Sequence, residues 1–344
     1  MSEVLYRKYR PKGFKDVLGQ EHIIDALTGA LKQGNIAHAY LFSGSRGTGK
    51  TSIARILAKE IKTSANDLHE IDAASNRGID DIRELREAVT VLPFESPYKV
   101  YIIDEAHMLT KEAFNALLKT LEEPPAHVIF VLATTEIEKL PETIISRCQT
   151  FTFKKPSQKI LKTAVEATAK AEGFTLEPAA ADLIAILGDG SFRDAQGILQ
   201  KIIYSSPDKK VGVSEVEKIA GAPRGALVND IISAIQSGEL EKGLSAVNTA
   251  VEGNIDMKMF LKMILHKVRS VILLRYAHDM EGIIKKQFGS EDFEFLKKLS
   301  GVEKSKINSN TLNEFLIAYD ATGRSYIPQL PLELALIKIL KQDK

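Results

Sequence analysis

Short apolar runs alternate with segments of helical spacing over roughly the first 154 residues. The apolar runs predict five strands, over 39–42, 68–72, 99–103, 128–133 and 150–153. The intervening segments predict helices near 20–33, 50–62, 79–90 and 111–122. Strands that alternate with helices are typical of an α/β fold, with a parallel sheet covered by helices on both faces.

The pattern changes at a plausible hinge, Lys154-Lys155-Pro156-Ser157, after which we find no strand signal. Four short helices are predicted over 157–172, 177–187, 191–204 and 214–220. A second hinge, Gly221-Ala222-Pro223, precedes a helical pattern that continues to the end of the chain. We therefore expect an α/β domain over 1–155, a small helical domain over 156–221 and an all-helical domain over 222–344.

Composition narrows the function classes only slightly. A formal net charge of +1 predicts neither nucleic-acid binding nor its absence, so any basic surface must be local. The single cysteine, Cys148, excludes an intramolecular disulfide and a cysteine-cluster zinc site, and we expect it to be a packed small side chain. No apolar run approaches the ~18 residues of a membrane span, and Met1 to Pro11 lacks the apolar core of a signal peptide. These features predict a cytoplasmic protein with no membrane partner.

A glycine-rich stretch between a predicted strand and a predicted helix carries the strongest chemical signal. It matches G-x-x-x-x-G-K-[ST], the phosphate-binding loop of nucleotide hydrolases. The residues expected to bind ATP are Gly44, Ser45, Arg46, Gly47, Thr48, Gly49, Lys50, Thr51 and Ser52. Lys50 is expected to reach the β- and γ-phosphates, and the Thr51 hydroxyl to hold Mg²⁺. The alternative is a glycine-rich turn that matches by chance, which the flanking strand and helix disfavour.

Two acids at the end of the strand over 99–103 support the first signal. Asp104 is expected to hold Mg²⁺, directly or through water, and Glu105 to polarise an attacking water. Acids often end strands in solvent, so the pair alone would be weak. Two hydrolase elements in the expected order are stronger together.

Several further stretches carry a family resemblance. They are Tyr6-Arg7-Lys8-Tyr9-Arg10-Pro11, Asp104-Glu105-Ala106-His107, Asn115-Ala116-Leu117-Leu118-Lys119, Ser146-Arg147-Cys148 and Gly190-Ser191-Phe192-Arg193-Asp194-Ala195. Together with the phosphate loop, they resemble the gamma/tau subunit of the bacterial DNA polymerase III clamp loader, an AAA+ ATPase. The resemblance implies an AAA+ sheet, a helical lid domain and a helical collar domain.

The chain departs from that family at two places. Family members usually insert a four-cysteine zinc module where this chain has only Thr63-Ser64-Ala65-Asn66-Asp67, so no zinc is expected. In this gap the chain looks like the small subunits of replication factor C. No segment resembling the tau tail follows residue 344, so a gamma-like length or a truncated form is expected.

The resemblance assigns three further residues to catalysis. Arg193 resembles the sensor-2 arginine that reports the γ-phosphate; the alternative is a surface arginine paired to Asp194 or Asp189. Arg147 resembles an arginine finger that reaches the next subunit's site; the alternative is a structural ion pair, for which Glu142 is the candidate partner.

Thr135 occupies the position of the first sensor. The alternatives are simple strand capping or a register shifted to Thr134.

Base and DNA contacts are weaker expectations. Val17 and Leu18 resemble an apolar pair beside adenine, with Tyr9 and Arg10 nearby, and are as readily ordinary core. The turn Ser75-Asn76-Arg77-Gly78 feeds a helix N-terminus suited to DNA phosphates, and is as readily a solvated turn.

The resemblance implies an ATP-driven motor subunit that opens a sliding clamp and places it on primed DNA. The implied partners are other clamp-loader subunits in a pentameric ring, the sliding clamp, and primer-template DNA recognised without sequence preference. One alternative is a Holliday-junction helicase motor, and another is a structural loader subunit with little ATPase activity.

The ring is expected to be held by residues from about 223 to 344. The apolar positions Phe260, Leu261, Ile264, Leu265 and Val268 exceed what one helix stripe needs within its own domain. A buried core helix is the alternative.

Overall fold

The structure is a computed structural model that describes residues 3–75, 78–206, 208–221, 223, 225–285, 287–303 and 305–341. The chain forms two compact units. Unit 1 comprises Met1–Ala164 and Gly188–Gly197, and unit 2 comprises Val165–Leu187 and Ile198–Lys344. The three-domain division at residues 155 and 221 remains a prediction.

A five-stranded parallel sheet lies at the centre of unit 1. Its strands are β1 (Ala39–Ser43), β2 (Leu68–Asp72), β3 (Lys99–Asp104), β4 (Val128–Thr134) and β5 (Gln149–Thr152), in the order β2-β3-β4-β1-β5. Each predicted strand is present within one residue of its predicted bounds. Ser43 pairs with Thr134 and Asp72 with Asp104, so the carboxyl ends of the strands lie along one edge. Ligands of open α/β sheets bind at this edge.

Helices cover both faces of this sheet, as predicted. They are α1 (Leu5–Lys8), α2 (Glu21–Gln33), α3 (Lys50–Glu60), α4 (Ile79–Thr90), α5 (Lys111–Glu122) and α6 (Glu142–Ile145), with 3-10 turns at Phe14–Asp16, Ala106–Met108 and Ile137–Lys139. Tyr40 and Phe42 of β1 belong to the core under α2 and α3. Leu41, between them, belongs to the core under α4 and α5, because successive strand side chains point to opposite faces.

The segment after residue 154 contains the predicted helices and one feature that was not predicted. The helices are α7 (Gln158–Ala171), α8 (Pro178–Leu187), α9 (Phe192–Ser205) and α10 (Val213–Ala220). The expectation of no further strand is wrong, because β6 (Thr175–Leu176) pairs in parallel with β7 (Lys210–Val211). Two residues per strand are too few to produce an alternating pattern in the sequence.

The rest of unit 2 is helical in the ranges that the structure describes. The helices are α11 (Gly225–Ser237), α12 (Leu240–Glu252), α13 (Met257–Tyr276), α14 (Glu281–Lys285), α15 (Ser290–Ser300), α16 (Ser309–Thr322) and α17 (Leu330–Lys341), with a 3-10 turn at His278–Met280. Over the described residues, none of the helices combines the length and apolarity that a membrane crossing requires.

Helix α13 is the core of this bundle. Phe260, Leu261, Ile264 and Val268 are fully buried, and Leu265 is half-buried. These positions therefore support the core-helix alternative and not the expected ring contact. The buried Lys267 donates from Nζ to Asp292 Oδ1 at 2.7 Å and to Asn229 Oδ1 at 2.9 Å, tying α13 to α15 and α11.

Candidate nucleotide-binding site

The phosphate loop lies between β1 and α3, at the carboxyl edge of the sheet. Gly44 has φ +145, and a Cβ there would lie 2.6 Å from the Phe153 carbonyl oxygen, so only glycine fits. The buried Thr48 hydroxyl donates to the Ser45 carbonyl at 2.9 Å and closes the loop on itself. The loop is therefore preformed, and α3 starts at Lys50 with its N-terminus directed at the space the loop encloses.

The Lys50 side chain is buried within the loop. Its Nζ donates to the carbonyl oxygens of Gly44 at 2.7 Å and Ser45 at 3.0 Å. Burial lowers the pKa of Lys50, the carboxylates of Glu105 and Asp104 raise it, and Arg193 lowers it further. A bound phosphate would add the negative charge that this partly desolvated ammonium lacks.

Two oxygen groups that could bind a metal ion lie together where α3 faces β3. The Thr51 hydroxyl donates to Asp104 Oδ2 at 2.9 Å, and Asp104 Oδ1 accepts the Glu105 amide at 3.0 Å. A hydroxyl and a carboxylate suit Mg²⁺, which is bound by one or two protein oxygens together with water and phosphate. Among the described residues no group of three or more His, Cys, Asp or Glu could hold a metal ion, and the absence of zinc remains a prediction.

Glu105 stands beyond the end of β3 in an unusual backbone conformation. Its φ is +50, a left-handed value that costs a non-glycine residue free energy and is common at functional sites. The Thr135 hydroxyl donates to its Oε2 at 3.2 Å. Thr134, by contrast, is fully buried, and its hydroxyl contacts His107 Nδ1 at 3.0 Å. Of the two threonines, it is Thr135 that faces the acid.

His107 is a site residue to which the sequence analysis gave no role. Its side chain is 7% exposed, with Nδ1 3.6 Å from Glu105 Oε2 and Nε2 3.2 Å from Glu136 Oε1. The only signal was its place in the stretch that begins at Asp104. The imidazole lies between the two acids and fixes the loops after β3 and β4.

Arg193 belongs to unit 1 with the phosphate loop, although it lies more than a hundred residues later in the chain. Its guanidinium lies 5.4 Å from the centre of the Tyr6 ring. Burial is the main cause that lowers the pKa of Arg10, followed by Arg55, and Arg193 adds to the same direction. The fold thus brings Arg193 into the electrostatic surroundings of both Lys50 and Arg10.

Arg147 is paired within its own chain. Its Nη2 lies 2.5 Å from Glu122 Oε1, and its Nη1 donates to the Thr143 carbonyl at 2.8 Å. The suggested partner, Glu142, is therefore wrong; the partner is Glu122, at the end of α5. Both side chains are partly exposed, and such pairs stabilise by only about 0–1 kcal/mol.

The residues near the expected adenine position differ in their exposure to solvent. Val17 is half-buried and packs on the core under α2 and α3, whereas Leu18 is 39% exposed. Tyr9 and Arg10 are half-buried. Leu18 therefore offers apolar surface that the ordinary-core interpretation does not explain.

Two remaining expectations have different outcomes. Cys148 packs against the core under α5, which confirms a packed side chain, and burial raises the pKa of its thiol to about 12. In the turn expected to contact DNA, Asn76 and Arg77 lie outside the described residues.

The sheet order, the phosphate loop after β1 and the acids after β3 define a P-loop ATPase fold of the AAA+ class. A solved structure with a similar fold is the Thermotoga maritima RuvB Holliday junction branch migration motor. It has a TM-score of 0.54 and 23% sequence identity, and the match covers 68% of this chain and 80% of that one. At this identity the likeness concerns the fold alone.

Sequence relatives are more specific. The family described as DNA polymerase III, delta subunit matches residues 19–77 and 61–157. DNA polymerase III subunit tau of Bacillus subtilis is 37% identical over 98% of this chain and 63% of its own length. The corresponding tau subunit of Escherichia coli is 39% identical over 82% of this chain and 48% of its own length. The gamma/tau subunit of Mycobacterium tuberculosis is 38% identical over 80% of this chain and 52% of its own length.

Over most of its length the chain is therefore similar in sequence to the tau and gamma/tau subunits of DNA polymerase III. It spans about half to somewhat under two thirds of the length of these curated relatives.

Proposed function

We propose that this chain is an ATP-driven motor subunit of a DNA sliding-clamp loader. ATP binding opens the clamp, and hydrolysis releases it on primed DNA. The observation that carries the proposal is the 2.9 Å contact between Thr51 and Asp104, which joins the phosphate loop to the acid strand as a magnesium nucleotide requires. The similarity to tau and gamma/tau subunits gives the ATPase its setting in replication.

The roles follow from charge placement. Backbone amides from Gly44 to Ser52 and the Lys50 ammonium hold the phosphates. Thr51 and Asp104 hold Mg²⁺, which neutralises charge that develops on the phosphate oxygens. Glu105 orients the attacking water, and Thr135 holds the Glu105 carboxylate in place through their 3.2 Å hydrogen bond.

Two arginines complete the charge stabilisation. Arg193 contacts the γ-phosphate from within the same chain. Arg147 acts on the nucleotide of a neighbouring subunit, exchanging Glu122 for phosphate when subunits meet. The exchange costs little free energy because both side chains of the Arg147–Glu122 pair are partly exposed. Hydrolysis thereby depends on assembly into a ring, which we propose to be pentameric.

We propose that residues 222–344 form the collar of that ring, following a lid domain over 156–221 and the ATPase domain over 1–155. The support lies on α16 and α17 and not on α13. Leu316 and Ile317 on α16, and Leu330, Leu334 and Ile337 on α17, are between 37% and 55% exposed. The three residues of α17 follow helical spacing along one stripe, the pattern of an unpartnered apolar face.

We also propose contacts to the adenine base and to DNA. Leu18 covers the adenine, close to Tyr9 and Arg10, and Val17 supports it from the core. The N-terminus of α4, which follows the turn over 75–78, holds the phosphates of primer-template DNA without reading sequence. The relatives are subunits of a DNA polymerase, which supports a location in the cytoplasm with the chromosome.

ATPase activity of the purified chain tests the proposal. The activity is measured alone, with partner subunits, and with primed DNA and a sliding clamp added singly and together. We expect the highest rate with all components present. No stimulation in any mixture would contradict the loader function. A rate that rises instead with four-way DNA junctions would favour a branch-migration motor, for which the fold of RuvB is the support. Binding without turnover in every mixture would favour a structural subunit.

A further inference from the structure

The start of helix α9 is fitted closely to the phosphate loop. Gly47 has φ +73, and a Cβ at this position would lie 2.0 Å from Ser191 Oγ and 2.9 Å from Ser191 Cβ. The Phe192 amide donates to the Gly47 carbonyl at 3.0 Å. All three residues belong to unit 1. The loop thus requires glycine here for space as well as for its backbone conformation.

Ser191 is itself fixed by hydrogen bonds to its own segment of the chain. It is 5% exposed, its amide donates to the Gly188 carbonyl at 2.9 Å, and its hydroxyl accepts the Asp194 amide at 3.2 Å. That last contact caps the first turn of α9. Arg193 follows two residues after Ser191, so its backbone position is set by this short segment and its hydrogen bonds to Gly188 and Gly47.

The side chain of Arg193 has a second constraint. Its guanidinium lies over the ring of the half-buried Tyr6, 5.4 Å from the ring centre. Tyr6 is held by the neighbouring Leu5, which is 2% exposed and anchors α1 in the core. An exposed arginine otherwise populates many rotamers, and the ring face selects those that keep the charge close to it.

We propose that Ser191 and Tyr6 are positioning residues for Arg193. Ser191 fixes the backbone of Arg193 against Gly47 of the phosphate loop. Tyr6, near the N-terminus of the chain, fixes the guanidinium of Arg193. The target of Arg193, the γ-phosphate, rests on the function proposed above, whereas the positioning itself exists without nucleotide.

These contacts hold Arg193 near Lys50 in spite of the repulsion between their two positive charges. Arg193 lies close enough to lower the pKa of Lys50, so the two cations repel each other before nucleotide binds. A freely rotating Arg193 would turn away into solvent. The negative face of the Tyr6 ring and the packed start of α9 hold it near the loop, so less ordering remains to be done when the γ-phosphate arrives.

The Ser191–Gly47 contact is tested without nucleotide, by denaturant unfolding of the full chain. Gly47→Ala introduces the collision, and Ser191→Gly removes the atoms that cause it. Gly49→Ala is the matched control, because Gly49 also has positive φ, at +102, but no atom of the described residues outside its own chain neighbours lies within 4 Å of a Cβ there. We expect Gly47→Ala to lower the midpoint more than Gly49→Ala. We also expect the double variant, Gly47→Ala with Ser191→Gly, to recover part of that loss. Equal midpoints for the two alanine variants, or no recovery in the double variant, would contradict the close contact between Ser191 and Gly47.

The role of Tyr6 is tested by the affinities for ATP and ADP, measured separately by competition with a fluorescent nucleotide. Tyr6→Leu removes the ring face, and Tyr6→Phe retains it. We expect Tyr6→Leu to weaken ATP about two- to fivefold, the effect of one exposed cation–π contact, with ADP unchanged. Tyr6→Phe should bind as the unaltered chain does. In an Arg193→Ala background, Tyr6→Leu should have no further effect.

If Tyr6→Leu binds ATP as well as Tyr6→Phe, or weakens ATP and ADP alike, Tyr6 does not position Arg193. Tyr6→Met replaces the leucine variant if the latter is unstable. If the unaltered chain binds neither nucleotide, the proposed ATPase function fails and the role of Tyr6 fails with it. The Ser191 contact is then still decided by the unfolding measurements.

Discussion

The hydroxyl of Thr135 donates a hydrogen bond to Oε2 of Glu105 over 3.2 Å, joining the loop after β4 to the loop after β3. A hydrogen bond to a charged group contributes about 1.5–3 kcal/mol. Thr135→Val retains the shape and removes the donor, so we expect kcat for ATP to fall about 10- to 100-fold with KM little changed. Steady-state ATPase kinetics of the assembled protein measure this.

Thr134→Val is the matched control. Thr134 is buried and contacts His107, so this variant should lower the free energy of unfolding by about 1 kcal/mol and affect kcat less. The reverse outcome, with kcat lost in Thr134→Val and kept in Thr135→Val, would exchange the roles of the two threonines.

Lys50→Ala should abolish nucleotide binding or turnover while the chain still folds. The variant removes the ammonium that the phosphate loop holds at 2.7 Å from the Gly44 carbonyl. Isothermal titration with ATP and a circular dichroism spectrum measure the two effects. Lys59→Ala, at the exposed end of the same helix α3, serves as control and should bind normally. ATPase activity that survives Lys50→Ala would contradict the assignment of Lys50 to phosphate binding.

Arg147 should act on a neighbouring subunit. Arg147→Ala and Glu105→Gln chains are each expected to be inactive, because one lacks the finger and the other the base. Mixed assemblies should regain part of the turnover, since some interfaces then combine an intact finger with an intact base. Mass measurements confirm that the mixture has assembled. Assembly without any regained turnover would restrict Arg147 to its pair with Glu122.

The apolar face of α16 and α17 should be required for assembly and not for folding. Leu334 is 55% exposed, so Leu334→Glu should leave the thermal midpoint nearly unchanged and reduce ring formation by mass in solution with partner subunits. Ile283→Glu is the matched control, because Ile283 is 52% exposed on α14, away from this stripe. If both variants assemble fully, the ring contacts lie elsewhere in the chain.

The His266 ring should make unit 2 sensitive to acid. Its Nε2 is buried and has no hydrogen-bond partner among the residues that the structure describes. Burial, with Arg269, Lys267 and Lys262 adding to it, lowers the pKa of His266 to about 4. The unfolded chain binds this proton near pH 6.5, so between pH 6.5 and 4 unfolding takes up a proton and stability falls as the pH is lowered. The loss reaches about 3 kcal/mol at pH 4.

Denaturant unfolding at several pH values measures this effect. His266→Gln stays neutral throughout, so the difference between it and the unaltered chain isolates the histidine from carboxylates that titrate in the same range. Parallel pH profiles for the two proteins would contradict the assignment.

Local signals in the sequence were enough for the five-stranded sheet, for the main helices and for the phosphate loop, but not for the two-residue strands β6 and β7. The five strands of the sheet are short buried runs between helical patterns, and that information is contained within a few neighbouring residues. The loop from Gly44 to Thr51 is equally local, because its function depends on consecutive backbone amides. Asp104 and Glu105 could be predicted for the same reason, as the residues that directly follow a buried strand.

The tertiary structure decided whatever depends on residues distant in the chain. It placed Ser191 against Gly47 and Arg193 over Tyr6, contacts that no local pattern contains. It selected Thr135 and not Thr134 to face Glu105, because the last residues of a strand turn to opposite sides.

From α11 to α17 the sequence determined that the segments are helical, and only the fold decided which apolar faces are buried within the chain. Phe260 and Ile264 of α13 have the same apolar character as Leu334 of α17, yet α13 lies in the core and Leu334 remains exposed. Apolar spacing identifies a face that must be covered, but the same free energy is gained whether a neighbouring helix of the same chain or a second molecule covers it. Which of them does so depends on how the helices pack, and packing is a property of the whole chain.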